Sequence, residues 1–210
     1  MRRTYYHTQE KTSSLLFHLP MNNNFVDSVN GLAPIVNTNS VIDYDLYLGQ
    51  NVGKFYGAHL EYSHDDLMKK IMDAINDNGI RITFLANWHN RDWGAPFCTC
   101  VNDIGDTLSI RNDIYGFQVC GRLFFEAFFK NNAGVNTGLP AHQWIKFNVT
   151  MLPNRYMAQI TDMDDNYITG VAESSTPLIT KINRFLVGSC QWGALRSWGG
   201  VLSDFKIEKI

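Results

Sequence analysis

The C-terminal stretch, residues 185–210, constrains the fold more strongly than any other part of the chain. Apolar residues alternate at Phe185 and Val187, a loop rich in glycine and tryptophan spans residues 188–200, and alternation resumes over residues 202–210. A period of two predicts strands, so we expect a strand, a long loop and a closing strand. Because a free end frays, the closing strand should be held in a sheet by partners from much earlier in the chain.

Length and composition favour a single all-β domain. The chain has 210 residues, of which 45% are hydrophobic, and this is enough for one large sandwich or barrel core. Its acidic residues are fifteen Asp and only five Glu, a ratio typical of a protein rich in turns rather than helices. The net charge of −2 gives no reason to expect binding to nucleic acid or to an anionic membrane.

Local alternation predicts where the main strands lie. Apolar residues recur at every second position over residues 15–19 and 80–86, which predicts a first strand and a core strand. Residues 87–96 contain two tryptophans and turn-forming residues and are expected to form a loop. Residues 144–151 and 156–161 alternate on either side of a Pro-Asn turn, as the two strands of a hairpin do.

One helix is predicted, over residues 65–76. Ser63 and Asp66 have capping-box spacing, which predicts that the Ser63 side chain caps the helix. Gly79 follows the helix and is expected to end it. The apolar residues that share one helical face are Leu67, Met68, Ile71, Met72 and Ile75.

The N-terminal residues 1–14 are polar and slightly basic, and the domain is expected to span residues 15–210. One interpretation of the first segment is a disordered leader. The other is an arm that docks on a neighbouring protein, because tyrosine and arginine are favoured as interface anchors. The partner-binding candidates on this second interpretation are Arg2, Arg3, Tyr5 and Tyr6.

The cysteines and the absence of apolar runs suggest a cytoplasmic site of synthesis. No run reaches the roughly 18 apolar residues of a membrane span, and residues 1–14 lack the apolar core of a signal peptide. Cys98 and Cys100 lie two positions apart on a predicted strand, where a bridge between them would be strained. A metal site would need a second close pair of cysteines, which the sequence lacks. We therefore expect free thiols.

Three segments resemble one family. Residues 15–31 contain a strand followed by a turn with Asp27, Ser28 and Gly31, residues 142–170 contain a long hairpin begun by a tryptophan, and residues 185–210 contain the closing element. In this order they resemble the superfamily of laminin-G-like domains and concanavalin-A-like lectins and glucanases. The resemblance implies a two-sheet antiparallel jelly-roll sandwich, here with one short inserted helix.

The catalytic carboxylates of the family's glucanases are absent from this sequence. The resemblance implies that an active member would carry two glutamates close together on one strand, since acid and nucleophile must lie about 5 Å apart. No two of the five glutamates lie within thirty residues of each other. The nucleophile motif G-x-S-x-G is also absent. We therefore predict that the protein is not an enzyme.

No cofactor is predicted, and a metal site has weak support. Calcium occurs at the sheet rim of family lectins and laminin-G domains, and four residues near one turn could supply oxygen ligands. This run is short for a cation that needs six or more ligands, so a solvated hairpin turn is the favoured alternative. The residues concerned are Asp162, Asp164, Asp165 and Asn166.

Loop tryptophans are the ligand-binding candidates. A tryptophan in a loop can stack on a sugar ring, but it can equally cover the core beneath that loop. Trp198 matches a core position of the family, and Trp88 stands in the same predicted loop as Trp93. Trp93 and Trp192 each adjoin a glycine and are the preferred candidates for a surface site.

These observations predict a non-catalytic binding or structural module. Members of the family usually work outside cells. A protein without a signal peptide would reach the outside if it were assembled into a bacteriophage particle. We therefore expect a virion surface or tail component that contacts glycan or neighbouring proteins. The alternatives are a soluble intracellular lectin and a glycan hydrolase of the same superfamily.

Overall fold

The computed structural model of the protein describes residues 14–89, 95–102, 105–113, 116–121, 125–128, 139–153, 155–175, 181–190, 196–197 and 199–210. This part of the chain contains one helix, α1 (Asp65–Asp77), and is otherwise built from strands and their connections. The strands in chain order are β1 (Leu15–Leu19), β2 (Val36–Asn37), β3 (Val41–Asp45), β4 (Gln50–Lys54), β5 (Leu60–Tyr62), β6 (Ile80–Trp88), β7 (Ala95–Asn102), β8 (Gly105–Asp113), β9 (Gly116–Gly121), β10 (Phe125–Phe128), β11 (Ile145–Leu152), β12 (Arg155–Thr161), β13 (Tyr167–Ser175), β14 (Arg184–Val187), β15 (Ser189–Cys190), β16 (Arg196–Ser197) and β17 (Gly200–Lys209).

Fifteen of the seventeen described strands form two antiparallel sheets that pack face to face. Sheet A has the order β13-β12-β11-β6-β17-β4-β3, with β1 paired to β17, and sheet B has the order β10-β9-β8-β7-β14-β5-β2. Phe97 of sheet B contacts Phe84 and Phe147 of sheet A, with ring centroids 5.5 and 4.8 Å apart. The predicted all-β two-sheet sandwich with one short helix is therefore confirmed.

The C-terminal strand β17 lies inside sheet A, as the sequence predicts. It pairs with β6 along most of its length, with β4 near its start and with β1 near its end. The register between β17 and β6 shifts between Ser203 and Lys206, where Asp204 has a positive φ of 50°. The preceding segment, predicted as one long loop, contains the short paired strands β15 and β16.

Helix α1 closes one end of the sandwich. It contacts β1, β6 and β11, and Lys209 at the end of β17 forms an ion pair of 2.6 Å with Asp77 of the helix. The capping prediction is wrong: the residue before the helix is His64, and no side chain caps the helix N-terminus. The two aspartates of its first turn still interact favourably with the helix dipole. We call this end the helix end.

Cys98 and Cys100 are buried on β7 and are free thiols. Burial raises the pKa of the Cys98 thiol well above its usual value, so this thiol stays protonated and unreactive at neutral pH. Within the described ranges, no helix is both long and apolar enough to span a membrane.

Candidate functional site

The candidate site lies on the face of sheet A that points away from sheet B. Side chains of β6 alternate between the core and this face, and Thr83, Leu85 and Asn87 point outward. Strand β11 pairs with β6 so that Lys146 lies opposite Leu85, and Asn148 lies opposite Thr83. These positions, with their neighbours on β4, β12 and β17, form what we call the outer face.

A small apolar cluster covers one end of the outer face. Its buried members are Val52, Trp144 and Val201, which come from β4, from the residue before β11 and from β17. Leu48 from the β3–β4 hairpin and Met163 from the β12–β13 turn pack against it. Two connections therefore fold over the outer face, at the end of the sandwich opposite helix α1.

The cleft between these two connections has a volume of about 360 Å³. We call it the end cleft. Asn87, the last outward residue of β6, is one of its lining residues, and Tyr47, which is 72% exposed, is another. Its full lining comprises Asp45, Tyr47, Asn87, His142, Gln143, Trp144, Asp162, Met163 and Asp164.

A second cleft of about 490 Å³ lies beside the end cleft on the same face. Outward side chains of β6, β11 and β12 line it, and Tyr167 and Asp204 belong to its lining. Lys146 and Asp165 both line this cleft and form an ion pair of 2.8 Å with each other. The outer face thus carries two neighbouring recesses lined by both polar and apolar groups.

Buried polar atoms without partners are concentrated at these recesses. Among the described residues, Trp144 Nε1, Asn87 Oδ1 and Asn148 Oδ1 are buried and have no hydrogen-bond partner. Trp144 is only 4% exposed, and it and Asn87 line the end cleft. A buried donor or acceptor without a partner costs about 1–3 kcal/mol of stability. Two residues that line the end cleft, Trp144 and Asn87, therefore carry a buried donor and a buried acceptor without partners.

The β12–β13 turn is closed by its own hydrogen bonds. Asp162 accepts bonds from the backbone amides of Asp164 and Asn166 and from the Asn166 side chain, at 2.9 to 3.0 Å. These bonds from Asn166 hold the pKa of Asp162 below its usual value, so the carboxylate is charged at neutral pH. Over the described ranges, no three His, Cys, Asp or Glu side chains are grouped to hold a metal ion.

Two histidines lie at the rim of the end cleft. The rings of His89 and His142 lie 5.1 Å apart, and the Tyr56 hydroxyl lies 2.7 Å from His89 Nδ1. Burial lowers the pKa of His89, and the neighbouring His142 lowers it further. His142 has a φ of 61° and donates its backbone amide to the Trp88 carbonyl at 2.9 Å. This bond fixes the chain immediately before Trp144.

A serine, a histidine and an aspartate are linked elsewhere on sheet A. Ser28 Oγ lies 3.1 Å from His18 Nδ1, and His18 Nε2 lies 2.8 Å from Asp204 Oδ1. A hydrolase would also need donors for a developing oxyanion. The backbone amides of residues 27–31 all donate within the turn, to Asp27 and to neighbouring carbonyls. The linkage joins β1 and its turn to the bulge of β17 and is structural.

Every residue predicted to bind a ligand or a partner lies in a part of the chain that the structure does not describe. Trp93 and Trp192, like the arm residues Arg2, Arg3, Tyr5 and Tyr6, lie outside the described residues. Trp88 belongs to β6 rather than to a loop, and its buried indole donates to the Pro140 carbonyl at 2.8 Å.

Of the residues that line the end cleft, the sequence singles out Asp162 and Asp164, as possible calcium ligands, but neither Asn87 nor Trp144 as a binding residue. The sequence predicts a loop at Asn87, whereas Asn87 continues the outward alternation of β6. It predicts Trp144 only as the start of a hairpin strand. The alternation of β6 past Ala86 was the signal that could have placed Asn87 on the outer face.

Comparisons with known proteins support the fold and leave the family open. No protein family matches the sequence, and no curated protein matches it. Domain 4 of an extracellular GH43 arabinanase from Geobacillus stearothermophilus, solved with arabinotriose, has a TM-score of 0.63 and 12% identity, covering 94% of this chain and 93% of that chain.

Two further solved structures are similar over most of this chain. The binding domain of botulinum neurotoxin DC in complex with rat synaptotagmin II has a TM-score of 0.63 and 12% identity, covering 93% of this chain and 48% of that chain. A Trypanosoma rangeli sialidase mutant displaying trans-sialidase activity has a TM-score of 0.64 and 11% identity, covering 93% and 31%. At these identities the similarity shows a shared β-sandwich fold alone.

Proposed function

We propose that this protein is a non-catalytic binding module that holds a glycan in the end cleft. The observation that carries the proposal is the pair of buried atoms without partners at this cleft, Trp144 Nε1 and Asn87 Oδ1. A sugar hydroxyl both donates and accepts hydrogen bonds, so a glycan can satisfy a donor and an acceptor on the same wall.

The other lining groups fit a sugar as well. Tyr47 projects at the rim and offers an aromatic surface on which a sugar ring can stack. Asp45 accepts hydrogen bonds from the amides of Tyr47 and Leu48 through one oxygen, Oδ1, at 3.0 and 2.9 Å. Its second oxygen has no partner in the described part of the chain and can accept a bond from a ligand hydroxyl.

The fold comparisons agree with a binding role. One structural neighbour was solved with arabinotriose, and another, a toxin binding domain, was solved in complex with a protein. The glutamate pair of a glucanase is missing from the sequence, and the Ser28–His18–Asp204 linkage is structural. We therefore propose binding without turnover, of the concanavalin-A-like or laminin-G-like kind.

Replacing Trp144 by phenylalanine tests the proposed site. The substitution removes the Nε1 donor but keeps an aromatic ring in the apolar cluster, so we expect glycan affinity to fall by about tenfold. The free energy of unfolding should change by less than about 1.5 kcal/mol, because lost packing is offset by removal of a buried donor without a partner. A glycan array identifies the ligand, and titration calorimetry then measures the affinities.

Trp88→Phe is the matched control. Its indole already donates to the Pro140 carbonyl, so this substitution should lower stability by breaking a buried hydrogen bond and leave glycan affinity unchanged. Equal affinities of the wild type and Trp144→Phe would place the glycan elsewhere. If the protein binds no glycan on the array, the proposed function is wrong.

We also propose that the module works as part of a larger assembly, with a bacteriophage surface or tail as the leading candidate. The support is the sequence of the arm, with Arg2, Arg3, Tyr5 and Tyr6. The carbonyl of Ser14, the last residue of the arm, accepts a hydrogen bond of 2.6 Å from the Lys209 amide. The arm therefore leaves from a fixed point beside β17.

Deleting residues 1–13 tests the role of the arm. The sandwich should stay folded, because Ser14 and β1 remain to pair with β17, while self-association or incorporation into a particle should be lost. Circular dichroism reports the fold and analytical ultracentrifugation reports the assembly. Full-length protein with the two tyrosines changed to serine should lose assembly in the same way. Assembly that survives both changes would assign the contact to the sandwich instead.

A further inference from the structure

The charges at the end cleft are of one sign. Three carboxylates line it, those of Asp45, Asp162 and Asp164. Among the described residues, the other ionisable groups of its lining are the ring of His142 and the hydroxyl of Tyr47, with no lysine or arginine. At neutral pH the walls are therefore strongly negative.

The nearby lysines compensate these carboxylates only in part. Lys54 is paired with Asp43, Lys146 with Asp165 and Lys206 with Asp204, and none of these three lysines lines the end cleft. Lys54 also interacts with Asp45, and Lys146 with Asp162, through charge alone. In the described part of this face, these three lysines, their three paired aspartates and the three cleft carboxylates together leave an excess of negative charge.

The buried Trp144 indole indicates that the acidic end cleft is a ligand site. Trp144 is 4% exposed, lines the same cleft and has an Nε1 donor that lacks a partner within the described ranges. An acidic surface alone would be a solvated patch, whereas a buried donor without a partner indicates a position that a ligand atom fills. The charge of that ligand is then selected by the carboxylates around it.

We infer that the glycan held in the end cleft carries protonated amines, as amino sugars without an acyl group on nitrogen do, and that the cleft rejects glycans bearing carboxylates or sulfates. This inference rests on the proposed function. An ammonium group placed near Asp45 and Asp164 gains charge-assisted hydrogen bonds. The uncharged hydroxyl groups of the sugar ring form hydrogen bonds with Trp144 and Asn87. The exposed Tyr47 ring adds a cation–π contact.

Three probes of equal length test the inference by titration calorimetry at low ionic strength. They are an oligomer of β-1,4-linked glucosamine, its fully N-acetylated counterpart and an oligomer of galacturonic acid. We expect the glucosamine oligomer to bind at least about tenfold more tightly than the acetylated oligomer. The preference should shrink as salt is added, because salt screens the carboxylates. The uronic acid oligomer should not bind.

A matched pair of variants separates the cleft from general attraction of a cation to an acidic protein. Asp45→Asn combined with Asp164→Asn should weaken binding of the glucosamine oligomer more than that of the acetylated oligomer, so the preference should fall to about twofold or less. Asp65→Asn combined with Asp66→Asn removes the same charge from exposed positions of α1 and should keep the preference. An equal effect of both double variants would overturn the inference.

The outcomes also separate this inference from the proposed function. Binding of the acetylated oligomer as tight as that of the glucosamine oligomer, and lost in Trp144→Phe, would overturn the charge selection and keep the glycan site. Failure of all three oligomers together with binding of a lysine-rich peptide would overturn both. Tighter binding of the uronic acid oligomer would overturn the inference alone.

Discussion

Replacing Phe205 by alanine is expected to lower the free energy of unfolding by about 4 kcal/mol. Phe205 lies on β17, is fully buried, and its ring contacts those of Phe84, Phe185 and Phe17 at centroid distances of 5.5, 5.4 and 6.3 Å. These partners come from both sheets and from β1. Alanine would therefore leave a cavity where the sheets meet, and rigid neighbouring strands leave little room for it to collapse.

Urea unfolding followed by circular dichroism measures this loss, with two comparison variants. Phe205→Leu keeps most of the volume and should cost about 1.5 kcal/mol. Val41→Ala removes a side chain that is 53% exposed on the edge strand β3 and should change stability by less than about 0.5 kcal/mol. A loss below about 1 kcal/mol for Phe205→Ala would contradict the packing of the Phe205 side chain between the sheets.

Much of the sandwich could be predicted because buried strands and a surface helix leave periodic signals. The alternation at residues 202–210 gave β17, that at residues 15–19 gave β1, and the apolar stripe gave α1 within a residue at its end. The start of the helix at Asp65 was predicted correctly, but its cap was not, because capping-box spacing is a weak signal and His64 rather than Ser63 occupies the N-cap position.

The end cleft could not be predicted because its walls are far apart in the sequence. Asp45 lies in the β3–β4 hairpin, Asn87 on β6, Trp144 before β11 and Asp162 after β12. Only the register of β6 with β11 and β17, and the path of two connections over the outer face, bring them together. In the sequence, an outward strand position looks the same whether it faces water or lies beneath a loop.

The helix end and the end cleft lie at opposite ends of the sandwich, so the part that stabilises the fold is separate from the part that binds a ligand. At the helix end, α1 packs on the main core, and Lys209 and Ile210 bond to Asp77 and Gly79. At the opposite end, polar connections cover only a small apolar cluster around Trp144. Binding groups with unused hydrogen bonds lower stability, so we expect them where connections can adjust, and the helix end to carry more of the stability.

Gly79 gives the sharpest test of the helix end. It joins α1 to β6 with a φ of +103°, and its amide donates to the Ala74 carbonyl at 2.8 Å. A Cβ atom at this position would overlap the Met151 carbonyl oxygen and lie 2.8 Å from Leu152 Cδ2. The oxygen belongs to the backbone of β11, so it cannot rotate away as a side chain could.

Gly79→Ala is therefore expected to cost about 3 kcal/mol or more, as the sum of backbone strain at positive φ and a steric clash with β11. Gly31→Ala is the matched control, because Gly31 also has a positive φ, +70°, but a Cβ atom there would meet no atom within 4 Å. That variant should lose only about 1 kcal/mol. Urea unfolding measures both losses, with the same dependence of the unfolding free energy on urea concentration in the variants and the wild type. Equal losses would mean that positive φ alone accounts for the effect and that β11 moves freely relative to α1.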